Sequence, residues 1–397
     1  MFYSVKINLL SIKIPNFAAK FRNLNQIYSV TMTTVAQMTT DSTGILFERL
    51  EQNDYEQIVF CQDKSTGLKA IIAIHNTTLG PGLGGTRMYD YKNEQDAITD
   101  VLRLSRGMTY KAAISGLNLG GAKAVIIGDP RKMKSEALMR KFGQFVQNLN
   151  GKYITAEDVG TTTKDMEYIQ MSTEHVVGLP EIMGGGGDPS PVTAYGVYLG
   201  MKACAKEVFG TESVAGKKVL VEGVGKVGGH LVDFLVNDGA KVQIADVNKD
   251  AINEMVKKYG VGVVELANVH EQDIDIYAPC ALGATLNDTS IAKLKCAIVS
   301  GAANNQLAVE AVHGQMLMEK GILYAPDFLI NAGGLINVYT ELHGYNREIA
   351  MSRAENIYDV TRAIISKAKE EKIPTYKAAN LMAEERIEAI GKINLSY

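Results

Sequence analysis

Beyond about residue 40, short apolar runs alternate with amphipathic stretches along the chain. "KAIIAIH" (residues 69–75) is an apolar run of strand length. "NEQDAITDVLRLSRGM" (93–108) instead places Ile98, Val101, Leu102 and Leu104 on one helical face. "KAVIIGD" (123–129) predicts a second strand, "KSEALMRKFGQFVQNL" a helix, and "KYITAED" (152–158) a third strand. Alternation of this kind predicts an α/β domain with helices layered on a sheet.

"MGGGGDPSP" (183–191) breaks the pattern. Four glycines and two prolines cannot continue a helix or a central strand, so the segment predicts a hinge or linker, with a long surface loop as the alternative. "TAYGVYLGMKACAKEVFG" (193–210) then predicts a helix. "KKVLVEGVGKVGGHLVDFLVNDGAKVQIADVN" opens a second α/β unit. "MSRAENIYDVTRAIISKAKEEK" and "YKAANLMAEERIEAIG" close the chain as two helices. The expected division is 1–39 as a leader, 40–183 and 184–345 as two α/β domains, and 346–397 as terminal helices.

Composition narrows the function. The 397 residues carry a formal charge of −3 without a long basic block, which argues against nucleic acid as a partner. Cys61, Cys204, Cys280 and Cys296 never fall at C-x-x-C spacing, and the histidines lack metal-ligand spacing. No metal site or redox pair is signalled, and free thiols fit the reducing cytoplasm. No apolar run approaches the ~20 residues of a membrane span. Residues 1–39 contain Lys6, Lys13, Lys20 and Arg22 but no acid. They read as a disordered or spurious extension, with a transit peptide as the alternative and Met32 and Met38 as other possible starts.

Two stretches spell the dinucleotide pattern G-x-G-x-x-G: "GPGLGG" (80–85) and "GVGKVG" (223–228). The pattern works only where a strand ends at its first glycine and a helix begins at its last, so that free N–H groups and the helix dipole meet the pyrophosphate. "GVGKVG" has the strand Val219-Leu220-Val221 before it and the helical face Val227, Leu231, Phe234, Leu235 after it. The next strand ends in Asp246, 18 residues beyond Gly228, an acid suited to the ribose hydroxyls. That acid favours NAD over NADP, although Lys249 lies close by in sequence. "GPGLGG" has neither helix nor acid: 18 residues beyond Gly85 stands Arg103, inside a helix. Its glycines would instead let backbone approach a small ligand, or form a plain turn.

Candidate chemistry lies in the chain after "GPGLGG". Lys123 stands at the mouth of the apolar run 124–127, where lost hydration would lower its pKa toward that of a general base. Lys111, expected just after a helix, should stay charged and could grip a carboxylate. Asp158 closes a strand just before a glycine, and strand C-termini are where open α/β sheets place ligands. A solvated surface group is the alternative for each.

"GLGGTRM", "GMTYK", "GLNLGGAK", "TAEDVGT", "GVGKVGG", "GAANNQL" and "NAGGLINV" together resemble the amino acid dehydrogenases that act on glutamate, leucine, phenylalanine and valine. The resemblance covers about residues 40–397. It implies two α/β domains around a cleft, an N-terminal substrate domain and a Rossmann NAD-binding domain, with the last helices crossing back to the first. It implies Lys111 on the substrate α-carboxylate with Gly84 and Gly85 lining that pocket, Lys123 as the catalytic lysine, and Asp158 as the proton-exchanging carboxylate. The cofactor set would be Gly223, Val224, Gly225, Lys226, Val227, Gly228, Gly229 and Asp246, with Ala281, and with Thr193, Asn304 and Asn305 around the nicotinamide end. Leu83, Met108, Ala156, Leu335 and Val338 would wall the side-chain pocket, without a basic group for a glutamate γ-carboxylate.

The implied activity is NAD-dependent oxidative deamination of L-leucine and other branched-chain L-amino acids by a homo-oligomer, an octamer in the leucine-type members. A valine- or phenylalanine-preferring member is the alternative within the family. A non-catalytic NAD-binding regulator has no need of the lysine–carboxylate set. A hydroxy acid dehydrogenase would want a His–acid pair that no motif here supplies.

Overall fold

The computed structural model describes residues 46–394, so the leader 1–39 lies outside the described residues. Ahead of Tyr55 the described residues form one helix, α1 (Leu46–Gln52). From Tyr55 onward the described residues belong to one compact unit, which holds two sheets.

The first sheet has the order β1-β2-β4-β3-β5, from β1 (Gln57–Asp63), β2 (Leu68–Asn76), β3 (Gly82–Tyr89), β4 (Gly120–Ile127) and β5 (Tyr153–Glu157). β1–β2 and β2–β4 are antiparallel, whereas β3 runs parallel to β4 and β5. Helix α2 (Glu94–Ile114) starts at Asn93, whose side chain accepts from Asp96 N–H, with Glu94 and Asp96 favourable to the helix dipole. It packs hard on β4: a Cβ on Gly121 would stand 2.1 Å from Thr109 N. On the other face, Ile72, Ile74, Met88, Ala124 and Ile126 form a core with α3 (Glu136–Gln147) and α4 (Thr163–Gln170).

Two details differ from the sequence reading. The helix expected over 93–108 continues to Ile114, so Lys111 lies in its last turn rather than beyond it. "GLGGTRMY" is a strand, although it contains three glycines and no β-branched residue except Thr86. Its neighbours on both sides enforce the extended form: Gly85 pairs with Ala156 and Thr86 with Ala124.

The segment over 183–191 holds no long element. A 3₁₀ turn, Glu181–Met183, precedes it, and α5 (Ser190–Phe209) begins within it. The Glu341 carboxylate accepts from Gly178 N–H (2.8 Å) and Gly186 N–H (2.9 Å), tying this crossing to α9 (Gly333–Glu341).

The second sheet is built from β6 (Lys218–Glu222), β7 (Lys241–Ala245), β8 (Gly262–Val263), β9 (Ile276–Pro279), β10 (Ile298–Val299) and β11 (Leu323–Tyr324), all parallel. Its order β11-β10-β9-β6-β7-β8 is that of the doubly wound dinucleotide-binding sheet, with the strand order reversing between β6 and β9. The middle of β6 is apolar because both its faces are covered: Val219 and Val221 join one core, Leu220 the other. α6 (Lys226–Asn237), α7 (Lys249–Tyr259), α8 (Glu310–Glu319) and α10 (Arg347–Glu371) belong to this half. α11 (Thr375–Asn394) returns to the first sheet: Arg386 donates to Ala113 O (3.0 Å) and Leu117 O (2.8 Å) at the end of α2.

Candidate active site

A cleft of about 450 Å³ lies where the two sheets face each other. The alternation of β3 decides which of its residues reach it. Leu83, Gly85 and Arg87 point into the cleft, whereas Thr86 and Met88, on the other face, are fully buried. Gly84 also lies on the buried face: a Cβ there would stand 1.8 Å from Ala122 O. At Gly85 the clash would be with Glu157 O, at 2.4 Å. The glycines of this strand are therefore set by backbone approach inside the sheet as well as by room for a ligand.

Lys123, in the middle of β4, is 6% exposed. Its Nζ stands 3.0 Å from Asp158 Oδ2. Asp158 follows the end of β5 and is fixed by its loop. Thr161 Oγ1 accepts from Asp158 N–H (2.9 Å) and donates to Thr86 O (2.9 Å). Gly160 turns the chain at φ 81°, where a Cβ would meet Met88 O at 1.9 Å. Burial alone would raise the Asp158 carboxyl, but Lys123 and then Arg87 outweigh it and hold it below the ordinary carboxylate range.

Lys111 reaches the cleft from α2, and its Nζ donates to Asn304 Oδ1 at 3.4 Å, across from the first sheet to the second half. Burial pushes its ammonium down to about 8, only partly offset by Asp327 and Asp158. It stays mostly protonated at neutral pH, but with less margin than a helix-end lysine in water. The cause is the extra helical turn, which carries it under the opposite half rather than into solvent.

The cleft also gathers Met108, Ala156, Leu335 and Val338, together with Thr193, Val227, Asn304 and Asn305. Among its polar residues the sequence reading missed Arg87, Asp327 and Asn331. Arg87 donates through Nε to Asp158 Oδ2 (3.1 Å) and through Nη1 to Asp100 Oδ2 (2.8 Å). Asp327 accepts from Gln306 N–H (2.8 Å), and burial raises its carboxyl. Asn331 donates to Asn304 Oδ1 (2.8 Å). Asp100 lies one shell behind Arg87. Only the every-second-residue spacing of Leu83, Gly85 and Arg87 could have pointed to any of them.

The second glycine run has a different build. Gly223 has φ 96°, and a Cβ there would strike Ala281 N at 2.7 Å, at the point where the strand order reverses. Gly228 packs α6 on the turn, its Cβ position only 1.9 Å from Gly223 O. Around Gly225 no atom comes within 4 Å of a Cβ, so its backbone faces open space at the start of α6. These are the three roles a dinucleotide turn needs: tight turn, open approach for the diphosphate, close helix packing. Asp246, at the end of β7, accepts from Val224 N–H (2.7 Å) and Asn248 N–H (2.7 Å) and so stands over the same turn. Gly229 donates to Gly225 O within the first turn of α6 (2.8 Å). Lys226 is largely exposed and pairs with Asp188 at 3.4 Å. Val227, in that first turn, already lines the cleft. A dinucleotide laid across Gly225 would therefore extend past Val227 toward Thr193 and Asn304, beside Lys123. The residues present fit the cofactor. Among the described residues no cluster of three or more His, Cys, Asp or Glu could hold a metal ion.

A dinucleotide cradle opening onto a cleft with a buried lysine–carboxylate pair defines a pyridine-nucleotide oxidoreductase of the amino acid dehydrogenase class. Comparison with known proteins agrees. The model of the Glu/Leu/Phe/Val dehydrogenase dimerisation domain matches residues 55–175, and that of Glutamate/Leucine/Phenylalanine/Valine dehydrogenase matches 242–392. The chain belongs to this dehydrogenase family. It is 56% identical over 352 residues to a leucine dehydrogenase of Bacillus cereus, covering 89% of this chain and 96% of the relative. It is 48% identical over 356 residues to a valine dehydrogenase of Streptomyces virginiae, covering 88% and 99%. The crystal structure of L-tryptophan dehydrogenase from Nostoc punctiforme superposes with a TM-score of 0.79 at 45% identity, covering 88% of this chain and all of that one.

Proposed function

We propose that the protein catalyses the reversible, NAD-dependent oxidative deamination of L-leucine and other branched-chain L-amino acids to 2-oxo acids and ammonium. The observation that carries the reading is the buried Lys123–Asp158 pair, 3.0 Å apart, on the floor of a cleft with apolar walls. Greater likeness to a leucine than to a valine enzyme supports leucine as the preferred branched-chain substrate.

When bound, NAD supplies the acceptor for the hydrogen and electron pair that leave the substrate Cα. The chain does the rest. Lys111 holds the α-carboxylate beside Gly85; Gly84, turned into the sheet, takes no part. Leu83, Met108, Ala156, Leu335 and Val338 surround the side chain and offer no cation, so a glutamate γ-carboxylate would be desolvated without a partner. Lys123, in its neutral form, takes a proton from the water that adds to the iminium carbon, and its ammonium then faces the new oxygen. Asp158 exchanges protons with the nitrogen, so that the carbinolamine collapses to oxo acid and ammonium. Gly223, Val224, Gly225, Lys226, Val227, Gly228, Gly229, Ala281 and Asp246 would hold the dinucleotide, and Thr193, Asn304 and Asn305 its nicotinamide end.

The domain limits read from the sequence, 40–183, 184–345 and 346–397, belong to this proposal, with closure about the segment 183–191. So do a homo-oligomeric state, octameric by resemblance, and a cytoplasmic location, which four free cysteines suit. No helix among the described residues is long and apolar enough to cross a membrane.

NADH formation with leucine, isoleucine, valine, phenylalanine and glutamate tests the reading. The first three should be turned over with kcat/KM values that differ by what a methylene is worth, about 1–3 kcal/mol, and glutamate should not be turned over. Lys123→Ala should retain NADH binding and lose turnover; near-normal turnover would remove Lys123 from the mechanism. Light scattering decides the assembly.

A further inference from the structure

Two cations meet Asp158, and both stand on the same oxygen. Lys123 Nζ lies 3.0 Å and Arg87 Nε 3.1 Å from Oδ2. The backbone N–H of Val159 also donates to this carboxylate. The guanidinium is itself held from behind: Asp100 Oδ2 accepts from Arg87 Nη1 (2.8 Å) and from Tyr91 OH (2.7 Å), while Asp100 Oδ1 accepts from Arg103 (3.0 Å). Arg87 and Asp100 are both mostly buried. A planar fork gripped at two points cannot turn, so the carboxylate it grips cannot turn either.

We propose that Arg87 is the positioning residue for proton transfer, loading Oδ2 of Asp158 with positive charge and leaving Oδ1 as the oxygen that exchanges the proton with the substrate nitrogen. The inference rests on the reading of Asp158 as the proton-exchanging carboxylate. One proton moves from the substrate nitrogen to Oδ1 and returns as ammonia leaves; no other reactant is needed. Arg87 does not touch the reacting atoms. It acts through Asp158, backed by the Asp100, Tyr91 and Arg103 cluster on strand β3, the segment after it, and helix α2.

The ionisable groups around Asp158 fix the sign of the test. Lys123 comes from β4, Arg87 from β3, Lys111 from α2, Tyr153 from β5 and Tyr91 from the segment after β3. Removing the Arg87 charge leaves Lys123 as the one adjacent cation, so Asp158 takes a proton more easily and its working, ionised form is lost at a higher pH.

The test assays the full-length protein in the direction of oxidative deamination, with leucine and NAD. For Arg87→Gln, the acid limb of kcat should move up by about one pH unit or more, the shift expected of a neighbouring guanidinium. The KM for leucine should stay within about threefold, because ground-state contacts are untouched. Arg87→Lys should restore the limb, since charge returns. Its kcat should stay below wild type, since an ammonium cannot hold Asp158 and Asp100 at once. A Gln variant whose kcat falls equally at every pH would overturn the proposal. So would a Lys variant with wild-type kcat, which also decides the matter if the Gln variant does not fold. Asp158→Asn separates the two layers. Lost turnover there with an unshifted Arg87→Gln limb sinks this inference alone, whereas retained turnover sinks the reading of Asp158 itself.

Discussion

The runs Gly80–Gly85 and Gly223–Gly228 are spelled alike and built for opposite purposes. In the first, the glycines of β3 are pressed between two strands, with no room for a Cβ at Gly84 or Gly85. In the second, Gly225 opens onto empty space at a helix start while its two companions bend the chain and seat the helix. A missing side chain thus lets protein backbone in at one site and leaves room for a ligand's diphosphate at the other. The pattern of letters does not distinguish the two; the neighbours of each glycine do.

Alanine substitutions test that contrast. The largest effect is expected at Gly84, where the added carbon would stand 1.8 Å from Ala122 O, a backbone atom in mid-sheet. Gly84→Ala should cost more than the ~1–3 kcal/mol of an extra methylene in a packed core, and the thermal midpoint should fall together with activity. A variant of normal stability would show that β3 can give way. Next is Asp246→Ala, which should raise the KM for NAD about 10–100-fold, the worth of lost charge-assisted hydrogen bonds, and narrow the preference over NADP. Gly225→Ala should raise the same KM by about tenfold while leaving stability within about 1 kcal/mol. If it unfolds the protein instead, the two runs are not opposites after all. The smallest effect concerns Lys111. With its ammonium titrating at about 8, binding of the 2-oxo acid to the enzyme–NADH complex should weaken as pH rises past that value, by at most about tenfold per unit. Fluorescence titration of bound NADH would show it, and pH-independent binding would separate Lys111 from the carboxylate.

The NAD-binding half was the more legible in the sequence. Its signals are local: Val219–Val221, the turn, the face of α6 and Asp246 all fall within 30 residues and fix one another. In the first half, Lys123 and Asp158 stood out because each adjoins an apolar strand, and both line the cleft. Strand β3 was not legible, since its glycines have poor strand propensity and are held extended by neighbours on either side. Arg87 left only the alternation with Leu83 and Gly85 as a signal, because its partner Asp158 lies 71 residues away. Lys111 lines the cleft, but its surroundings were not legible, since they come from Asn304 and Asp327 of the other half.

The grip of Arg386 on the end of α2 bears on how the molecule is made. The turn of α2 that presents Lys111 is completed by donors carried on α11, which the ribosome delivers only after the whole parallel sheet has been synthesised. The first sheet can assemble early, but the last turn of α2 waits for α11 to arrive. A nascent or truncated chain lacking that helix should therefore build the dinucleotide turn yet hold Lys111 loosely, so binding of the cofactor would be acquired before catalysis during biosynthesis.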